Sequence, residues 1–282
     1  MRVHSSSANS YTPDEMMTIA AARLIQPGCV CFVGIGVPSA AANLARLIHA
    51  PDLVLIYESG AIGTHPNVLP LSIGDGELAE TADAVVPLPE IFSYWLQAGR
   101  IDVGFLGAAQ IDRFGNLNTT VIGGYSKPKT RLPGAGGAPE IALHAKQIFV
   151  VLKQSPRSFV AKLDFCTSAG FLNGHGERAR RTIAGAGPQV VITDLGVFKP
   201  AADSQELTLV ARYENVSVDK IRQATGWPLA IADNIDVVAT PTADELRVLR
   251  DLHKRTKIAH AGNAGRSRKN PASVASVSKV NA

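Results

Sequence analysis

The stretch Cys29–Tyr57, CVCFVGIGVPSAAANLARLIHAPDLVLIY, decides the fold class of this chain. It opens with a continuous apolar run at 29–33 and closes with another at 53–57, as expected of strands that are covered on both faces. Between them, a turn with two glycines leads into an alanine-rich segment at 39–48 that predicts a helix. Strand, helix and strand in this order predict a right-handed parallel crossover.

The same alternation continues on both sides of this stretch. Upstream, Thr12-Pro13-Asp14-Glu15 has the T-x-x-E pattern of a capping box, with Pro at the first helical position, and predicts a helix that ends near Ile25. Downstream, strands are predicted at 103–106, 148–152, 190–193 and 207–211, and helices at 89–98, 218–225 and 242–255. The whole pattern predicts an α/β fold with a largely parallel open sheet and helices on both faces.

The composition predicts one globular domain followed by a basic end. No linker or repeat divides residues 1–259, and residues 260–282 are predicted to be a disordered basic tail because they contain too few large apolar side chains to order themselves. The 28 Lys and Arg residues outnumber the 24 Asp and Glu residues, but seven of the basic ones lie in the acid-free segment 254–282. The rest of the chain is slightly acidic, which argues against nucleic-acid binding.

Several other protein classes are also excluded. No apolar stretch approaches the roughly 20 residues of a membrane helix, and the segment 1–11 lacks the apolar core of a signal peptide. We therefore expect a cytoplasmic protein without a membrane partner. The three cysteines, Cys29, Cys31 and Cys166, are odd in number and lack C-x-x-C spacing, so they predict neither a disulfide framework nor a zinc site.

Two glycine turns next to predicted strands are candidate ligand sites. Gly34 and Gly36 can bring backbone amides and a helix N-terminus to an anion, although an ordinary tight turn would look the same. Glu58, followed by Ser59 and Gly60, lies at the C-terminal end of a predicted strand, where open α/β sheets bind ligands. A carboxylate there can act as a nucleophile, a base or an anchor, or can simply cap the following turn.

Two further segments supply amides. Gln110 and Asn118 are neutral hydrogen-bonding side chains that flank a predicted tight turn. Gly136 and Gly137 belong to the run LPGAGGAPE at 132–140, whose backbone N–H groups can form an oxyanion hole or a merely flexible loop. The histidines have no partners at metal-ligand spacing, so no metal site is predicted. Taken singly, these segments predict only an anion- or acyl-binding enzyme.

Taken together and in this order, the segments resemble the B subunit of class I CoA-transferases. The matching runs are GIGVPSAAANLA, YESGAIG, GRIDVGFLGAAQIDRFGNLNTT and RLPGAGGAPEIA, and the resemblance covers roughly 16–259. It implies the class I CoA-transferase fold. Within the family the chain looks closest to the 3-oxoadipate branch, with the glutaconate branch next. One departure is Ala211-Arg212-Tyr213, where the family often has His-Pro-Gly.

The resemblance also implies roles for single residues. Glu58 corresponds to the family's nucleophile, which carries CoA as a glutamyl thioester, and Gly136 and Gly137 match its oxyanion-hole glycines. No metal or redox cofactor is implied. Residues expected to contribute to the binding of CoA or the acid are Gly34, Gly36, Ser59, Gly60, Gln110 and Asn118.

The implied reaction moves CoA from succinyl-CoA to 3-oxoadipate, late in the degradation of aromatic compounds. The family's enzyme also needs an A subunit, so a heterotetramer or larger hetero-oligomer is expected. Three alternatives stay open at this point. They are transfer to another short dicarboxylic or 3-oxo acid, hydrolysis of a ring-derived CoA thioester on the same fold, and a non-catalytic acyl-CoA sensor. The hydrolase branch lacks a nucleophile at the position of Glu58, which counts against it.

Overall fold

A large twisted sheet forms the centre of the molecule. The computed structural model describes residues 10–267, with side chains up to residue 261, and within them ten strands form this sheet in the order β14-β13-β12-β11-β10-β5-β1-β2-β3-β4. Two small hairpins, β6–β7 and β8–β9, complete the strands. The strands are β1 (Val30–Phe32), β2 (Val54–Ile56), β3 (Ala61–Ile62), β4 (Ala84–Val85), β5 (Val103–Leu106), β6 (Gln110–Ile111), β7 (Leu117–Asn118), β8 (Val121–Gly124), β9 (Lys127–Arg131), β10 (Gln147–Val151), β11 (Pro188–Ile192), β12 (Gly196–Pro200), β13 (Leu207–Arg212) and β14 (Ala230–Val237).

The predicted largely parallel open sheet is confirmed. The five central strands, β11, β10, β5, β1 and β2, all pair in parallel. Antiparallel pairing, which the sequence did not predict, adds β12 and β13 on one side of these five strands and β3 and β4 on the other. β14 pairs in parallel with β13 at the far edge. The helices are α1 (Pro13–Arg23), α2 (Val37–Ile48), α3 (Gly76–Glu80), α4 (Leu88–Glu90), α5 (Ala138–His144), α6 (Glu177–Arg180), α7 (Val218–Gln223) and α8 (Ala243–Ser267).

Helices cover both faces of the sheet, as predicted. Successive side chains of a strand point to opposite faces, and in β10 Phe149 and Val151 pack into a core shared with α1, α2 and α8. Ile148 and Val150 of the same strand pack into a second core that contains residues of α5 and α7. Burial on both sides explains the unbroken apolar runs. Within the described residues, no helix combines the length and hydropathy needed to cross a membrane.

Helices α1 and α8 begin with the same pair of capping hydrogen bonds. At α1, Thr12 Oγ1 accepts a hydrogen bond from Glu15 N (3.1 Å), and Thr12 N donates to Glu15 Oε2 (2.8 Å), which is the predicted capping box. At α8, Glu245 N donates to Thr242 Oγ1 (3.2 Å), and Thr242 N donates to Glu245 Oε2 (2.7 Å). Each box supplies partners for backbone N–H groups that a helix start leaves unpaired.

Helix α8 is longer than its predicted span of 242–255, because contacts to the loop at Leu69 hold its second half. Thr256 Oγ1 accepts a hydrogen bond from Leu69 N (2.8 Å), and a ring nitrogen of His260 contacts Leu69 O at 3.0 Å. The predicted boundary between residues 259 and 260 therefore falls inside this helix. The part of the predicted tail beyond residue 267 lies outside the described residues.

The predicted helix at 89–98 has an unexpected geometry. Only Leu88–Glu90 is α-helical, and Ile91–Leu96 forms a π-helical turn. The wider hydrogen bonds include Gln97 N to Phe92 O at 2.8 Å. π-Helical turns occur frequently at functional sites, and this one carries Phe92 to the glycine run at Gly136 and Gly137.

Candidate active site

Glu58 lies in the tight turn that joins β2 to β3. Gly60 N donates to Tyr57 O and Tyr57 N donates to Ala61 O, both at 3.0 Å, so the chain reverses directly after β2. Gly60 has φ +108°, and a Cβ at this position would overlap the carbonyl oxygen of Val86. Only glycine fits this conformation and this close approach. The turn therefore holds Glu58 at the C-terminal end of the parallel strands.

A buried hydrogen bond ties this turn to helix α2. The Tyr57 and Ser39 hydroxyls lie 2.9 Å apart, and both side chains are fully buried. Asn43 Nδ2 donates to the carbonyl of Ser39 (2.9 Å) one helical turn away. Burial raises the pKa of Tyr57 to about 12, so the phenol is neutral at physiological pH. The strand end that carries Glu58 is thus fixed to the first turn of α2.

A cavity of about 480 Å³ lies at the C-terminal ends of the central strands. Its wall includes Gly34 and Pro38 after β1, Gly107 after β5 and the glycine run before α5. Among the lining residues Glu58 and Lys153 carry the charges, and the others are apolar or glycine. Open α/β sheets bind ligands in this location. The cavity can therefore hold an acyl group beside the Glu58 carboxylate.

The glycine run passes directly beside Glu58. A Cβ added at Gly137 would lie 3.2 Å from Glu58 Oε2 and 2.6 Å from Cζ of Phe92, and one added at Gly136 would lie 4.0 Å from Glu58 Oε2. The absence of side chains at both positions lets the backbone approach the carboxylate. Gly134 N donates to Thr119 O (2.9 Å), which anchors the run to the turn before β8. The structure thus brings together three predicted catalytic-site residues.

The predicted binding residues near these glycines do not share one cavity. Gly34 lines the Glu58 cavity. Gly36 caps α2 with φ +81° and lines a neighbouring cavity of about 440 Å³ instead. Ser59 and Gly60 belong to the Glu58 turn but are not among the residues that line the Glu58 cavity. Their position supports a role in shaping the turn.

The structure does not bring Gln110 and Asn118 to the Glu58 cavity. Both are buried, and their polar groups bond to other protein groups. Asn118 Nδ2 donates to Gln110 Oε1 and to Val121 O, both at 2.7 Å, and Gln110 Nε2 donates to Asp164 Oδ2 at 3.0 Å. This cluster joins the β6–β7 hairpin to β8 and to the segment around Asp164.

The cavity region also contains residues that were not predicted from the sequence, among them Lys153, Ile73 and Phe92. Lys153 lines the cavity and its Nζ lies 2.9 Å from Asp14 Oδ1, a contact that raises the pKa of the ammonium group. Lys153 directly follows the predicted strand 148–152, so the rule that ligands bind at strand ends could have identified it. Ile73 and Phe92 approach the site from segments whose local sequence carries no such signal.

The unusual segment Ala211–Tyr213 lies away from the Glu58 cavity, at the end of β13. Tyr213 is buried and its hydroxyl donates to Thr193 O at 2.8 Å. Arg212 Nη1 donates to the carbonyls of Glu214 and Val216 at 3.1 and 3.2 Å. These bonds hold the chain reversal after β13, and the departure from the family's pattern does not alter the site.

Comparisons with known proteins agree with this geometry. The chain is 58% identical over 257 residues to the B subunit of 3-oxoadipate CoA-transferase from Pseudomonas knackmussii, covering 91% of this chain and 99% of the relative. It is 35% identical over 248 residues to the B subunit of glutaconate CoA-transferase from Acidaminococcus fermentans, covering 86% of this chain and 92% of the relative.

The solved structures extend the agreement to the fold. The crystal structure of glutaconate coenzyme A-transferase from Acidaminococcus fermentans matches with a TM-score of 0.81 at 33% identity, over 86% of this chain and 94% of that chain. Both therefore share the mostly parallel open sheet. The family model described as coenzyme A transferase matches residues 14–224, from the start of α1 to the end of α7. This chain belongs to the coenzyme A transferase family.

Proposed function

We propose that this chain is the B subunit of a CoA-transferase that moves CoA from succinyl-CoA to 3-oxoadipate. The observation that carries the chemistry is the Glu58 carboxylate, which faces an otherwise mostly apolar cavity beside the backbone of Gly136 and Gly137. The choice of acid is supported by the 58% identity to the 3-oxoadipate relative, against 35% to the glutaconate relative.

An A subunit completes the enzyme. The two relatives are both B subunits, and the cavity of this chain offers a single cation, Lys153, for substrates that carry several negative charges. The enzyme is a hetero-oligomer in which the A subunit supplies further binding groups. Since its substrates are CoA thioesters of cellular metabolism, the proposal places the enzyme in the bacterial cytoplasm.

The first half-reaction loads CoA onto Glu58. A carboxylate oxygen of Glu58 attacks the thioester carbonyl of succinyl-CoA, the C–S bond breaks, and a succinyl–glutamyl anhydride and CoA thiolate form. The thiolate then attacks the glutamyl carbonyl of the anhydride and expels succinate, which leaves a glutamyl–CoA thioester. Backbone N–H groups of Gly136 and Gly137 stabilise the oxyanion of each tetrahedral intermediate. The apolar walls exclude water, which would hydrolyse the anhydride.

The second half-reaction is the reverse with a different acid. A carboxylate of 3-oxoadipate attacks the glutamyl–CoA carbonyl and releases the thiolate, which attacks the 3-oxoadipyl carbonyl of the new anhydride. The product is 3-oxoadipyl-CoA, and the Glu58 carboxylate is regenerated. Every step is an acyl exchange between carboxylate and thiolate without net proton or electron transfer. The reaction therefore needs no metal or redox cofactor.

Intact-mass spectrometry of the chain, copurified with its A subunit and mixed with succinyl-CoA alone, tests the proposal. We expect the intact chain to gain the mass of CoA less one water, peptide mapping to assign the adduct to the peptide that contains Glu58, and 3-oxoadipate to discharge it. Glu58→Ala should form no adduct and transfer no CoA while it still assembles. Glu58→Asp should lose roughly 100-fold in rate, because its carboxylate is withdrawn by about 1 Å.

Each other outcome points to a different function. An adduct that another short dicarboxylic or 3-oxo acid discharges, but 3-oxoadipate does not, would keep the mechanism and change the substrate. Hydrolysis of succinyl-CoA without an adduct would favour the hydrolase. Binding of succinyl-CoA without either reaction would favour an acyl-CoA sensor. Substantial transfer by Glu58→Ala would overturn the nucleophile assignment.

A further inference from the structure

The β8–β9 hairpin presents a concentrated positive charge. Strand β9 reads KPKTR and places Lys127, Lys129 and Arg131 on the surface, all three exposed. Within the described part of the chain, none of the three side chains forms an ion pair with a carboxylate. Their charges are therefore available to an anionic ligand.

Contacts within the hairpin hold this charge in a defined place. The Tyr125 ring, in the turn between the two strands, stacks on Phe165 with a centroid distance of 5.4 Å and an interplanar angle of 26°. The guanidinium carbon of Arg131 lies 4.7 Å from the centroid of the Tyr125 ring, and Arg131 Nη2 donates to the Tyr125 carbonyl at 2.8 Å. A guanidinium fixed in this way loses less conformational entropy when it binds an anion.

The hairpin is connected directly to the Glu58 site. Gly136 follows Arg131 by five residues, so the Cα atoms of the two residues lie no more than about 18 Å apart. Leu132 N donates to Thr120 O at 3.1 Å, which keeps the start of the glycine run against the base of the hairpin. The charged strand therefore leads, within a few residues, into the glycine run that lies beside the Glu58 carboxylate.

The chemistry of the proposed substrate requires such a second region. CoA carries a diphosphate and a 3′-phosphate, and a long pantetheine arm separates them from the reacting sulfur. The Glu58 cavity is mostly apolar, and its single cation, Lys153, is already paired with Asp14. Within the described part of this chain, cations that bind the phosphates must therefore lie outside the cavity and within reach of the arm.

We infer that Lys127, Lys129 and Arg131 of the β8–β9 hairpin bind the phosphate groups of the CoA thioester. This inference rests on the proposed function, because it takes its ligand from the transferase reaction. The hairpin then binds the nucleotide end of CoA while the thioester end reacts at Glu58. An acidic surface of the A subunit is the competing occupant, and substitutions in the hairpin separate the two.

The test uses the complete hetero-oligomer with Lys127→Gln/Lys129→Gln. We expect the KM for succinyl-CoA to rise about tenfold, because two charge-assisted contacts to phosphate are lost. The inhibition constant of adenosine 3′,5′-bisphosphate, which carries phosphates but no thiol arm, should rise in parallel. The rate at saturating succinyl-CoA and the mass of the Glu58 adduct should not change, and Lys127→Arg/Lys129→Arg should keep the wild-type constants.

A matched control separates phosphate binding from overall charge. Lys199→Gln/Lys220→Gln removes the same net charge from exposed positions on β12 and α7, outside the Glu58 cavity, and should leave both constants unchanged. Unchanged constants in the hairpin variant, with a normal Glu58 adduct in the wild type, would overturn the inference alone. Loss of the A subunit from the hairpin variant would assign the hairpin to the subunit interface. Absence of the adduct in the wild type would instead remove the proposed function.

Discussion

The turn that carries Glu58 and the cluster of Gln110 and Asn118 both place polar side chains close to the ends of the central strands, but the protein uses them in opposite ways. The side-chain amide of Asn118 donates hydrogen bonds to Gln110 Oε1 and to Val121 O, both at 2.7 Å. The Glu58 carboxylate faces the cavity and, among the described residues, has no ion-pair partner. A fully paired buried group stabilises the fold, whereas a group left free at a cavity is available for reaction. Four substitutions can break or sharpen this comparison.

The largest effect is expected at the glycine that touches the nucleophile. Gly137→Ala would place a Cβ 3.2 Å from Glu58 Oε2 and 2.6 Å from Phe92 Cζ, so the carboxylate or the glycine run must shift. A displacement of about 1 Å can lower the transfer rate about 100-fold. Steady-state assays of the complete enzyme measure the rate, and thermal unfolding checks the fold.

Gly76→Ala is the matched control for this change. Its added Cβ would meet only Glu80 Oε1 at 3.7 Å, outside the Glu58 cavity. We expect its transfer rate to stay within about threefold of the wild type, as for most surface substitutions. Equal activity of Gly137→Ala and Gly76→Ala would show that the glycine run does not constrain the nucleophile.

Asn118→Ala tests the other side of the comparison. It removes the hydrogen bonds to Gln110 and Val121 and leaves buried partners unpaired, so the free energy of unfolding should fall by about 2–3 kcal/mol. The rate per folded enzyme should change far less than in Gly137→Ala. Denaturant unfolding and active-site titration with succinyl-CoA measure the two quantities.

Asn173→Ala is the matched control for this change. It removes an exposed hydrogen bond from the Asn173 side-chain amide to Glu177 and should lower the free energy of unfolding by no more than about 0.5 kcal/mol. A strong loss of activity in Asn118→Ala without a loss of stability would give Asn118 the substrate-binding role that the sequence suggested.

Tyr57→Phe should have a smaller effect that depends on pH. At about pH 7 the loss of the buried bond to Ser39 should lower the free energy of unfolding by about 1 kcal/mol. Burial raises the pKa of Tyr57 from 10.0 to about 12, so above pH 10 the unfolded phenol ionises first and the wild type loses stability.

The stability advantage of the wild type over Tyr57→Phe should therefore shrink and then reverse as the pH rises from 10 to about 12. Denaturant midpoints measured across this range check the prediction. A difference that stays constant up to pH 12 would show that the folded phenol titrates like an exposed one.

The smallest effect is expected for Ser59→Ala. Ser59 is half-buried in the Glu58 turn and is not among the residues that line the cavity. The transfer rate and the KM values should stay within about threefold of the wild type, which corresponds to less than about 1 kcal/mol. A tenfold rise of the KM for either substrate would instead support the binding role that the sequence suggested.

Local sequence patterns predicted those parts of the fold that depend on residues close to one another in the sequence. The strand predicted at 103–106 is β5 with the same bounds, and the T-x-x-E pattern at Thr12 forms the capping box of α1. The two-residue strands β3 and β4 were missed, because they exist only through antiparallel pairing at the sheet margin. The π-helical turn Ile91–Leu96 was missed because its sequence has the apolar spacing of an ordinary helix.

The sequence by itself determined the α/β class and the candidacy of Glu58, because alternating apolar runs encode burial and a carboxylate after such a run marks a strand end. Only the tertiary structure decided which polar groups are free and which are paired. Glu58 and Gly137 are distant in the chain and meet because β1 and β5 bring β2 near β10 in the sheet. Strand order and register depend on the packing of the whole sheet, and no local pattern contains them.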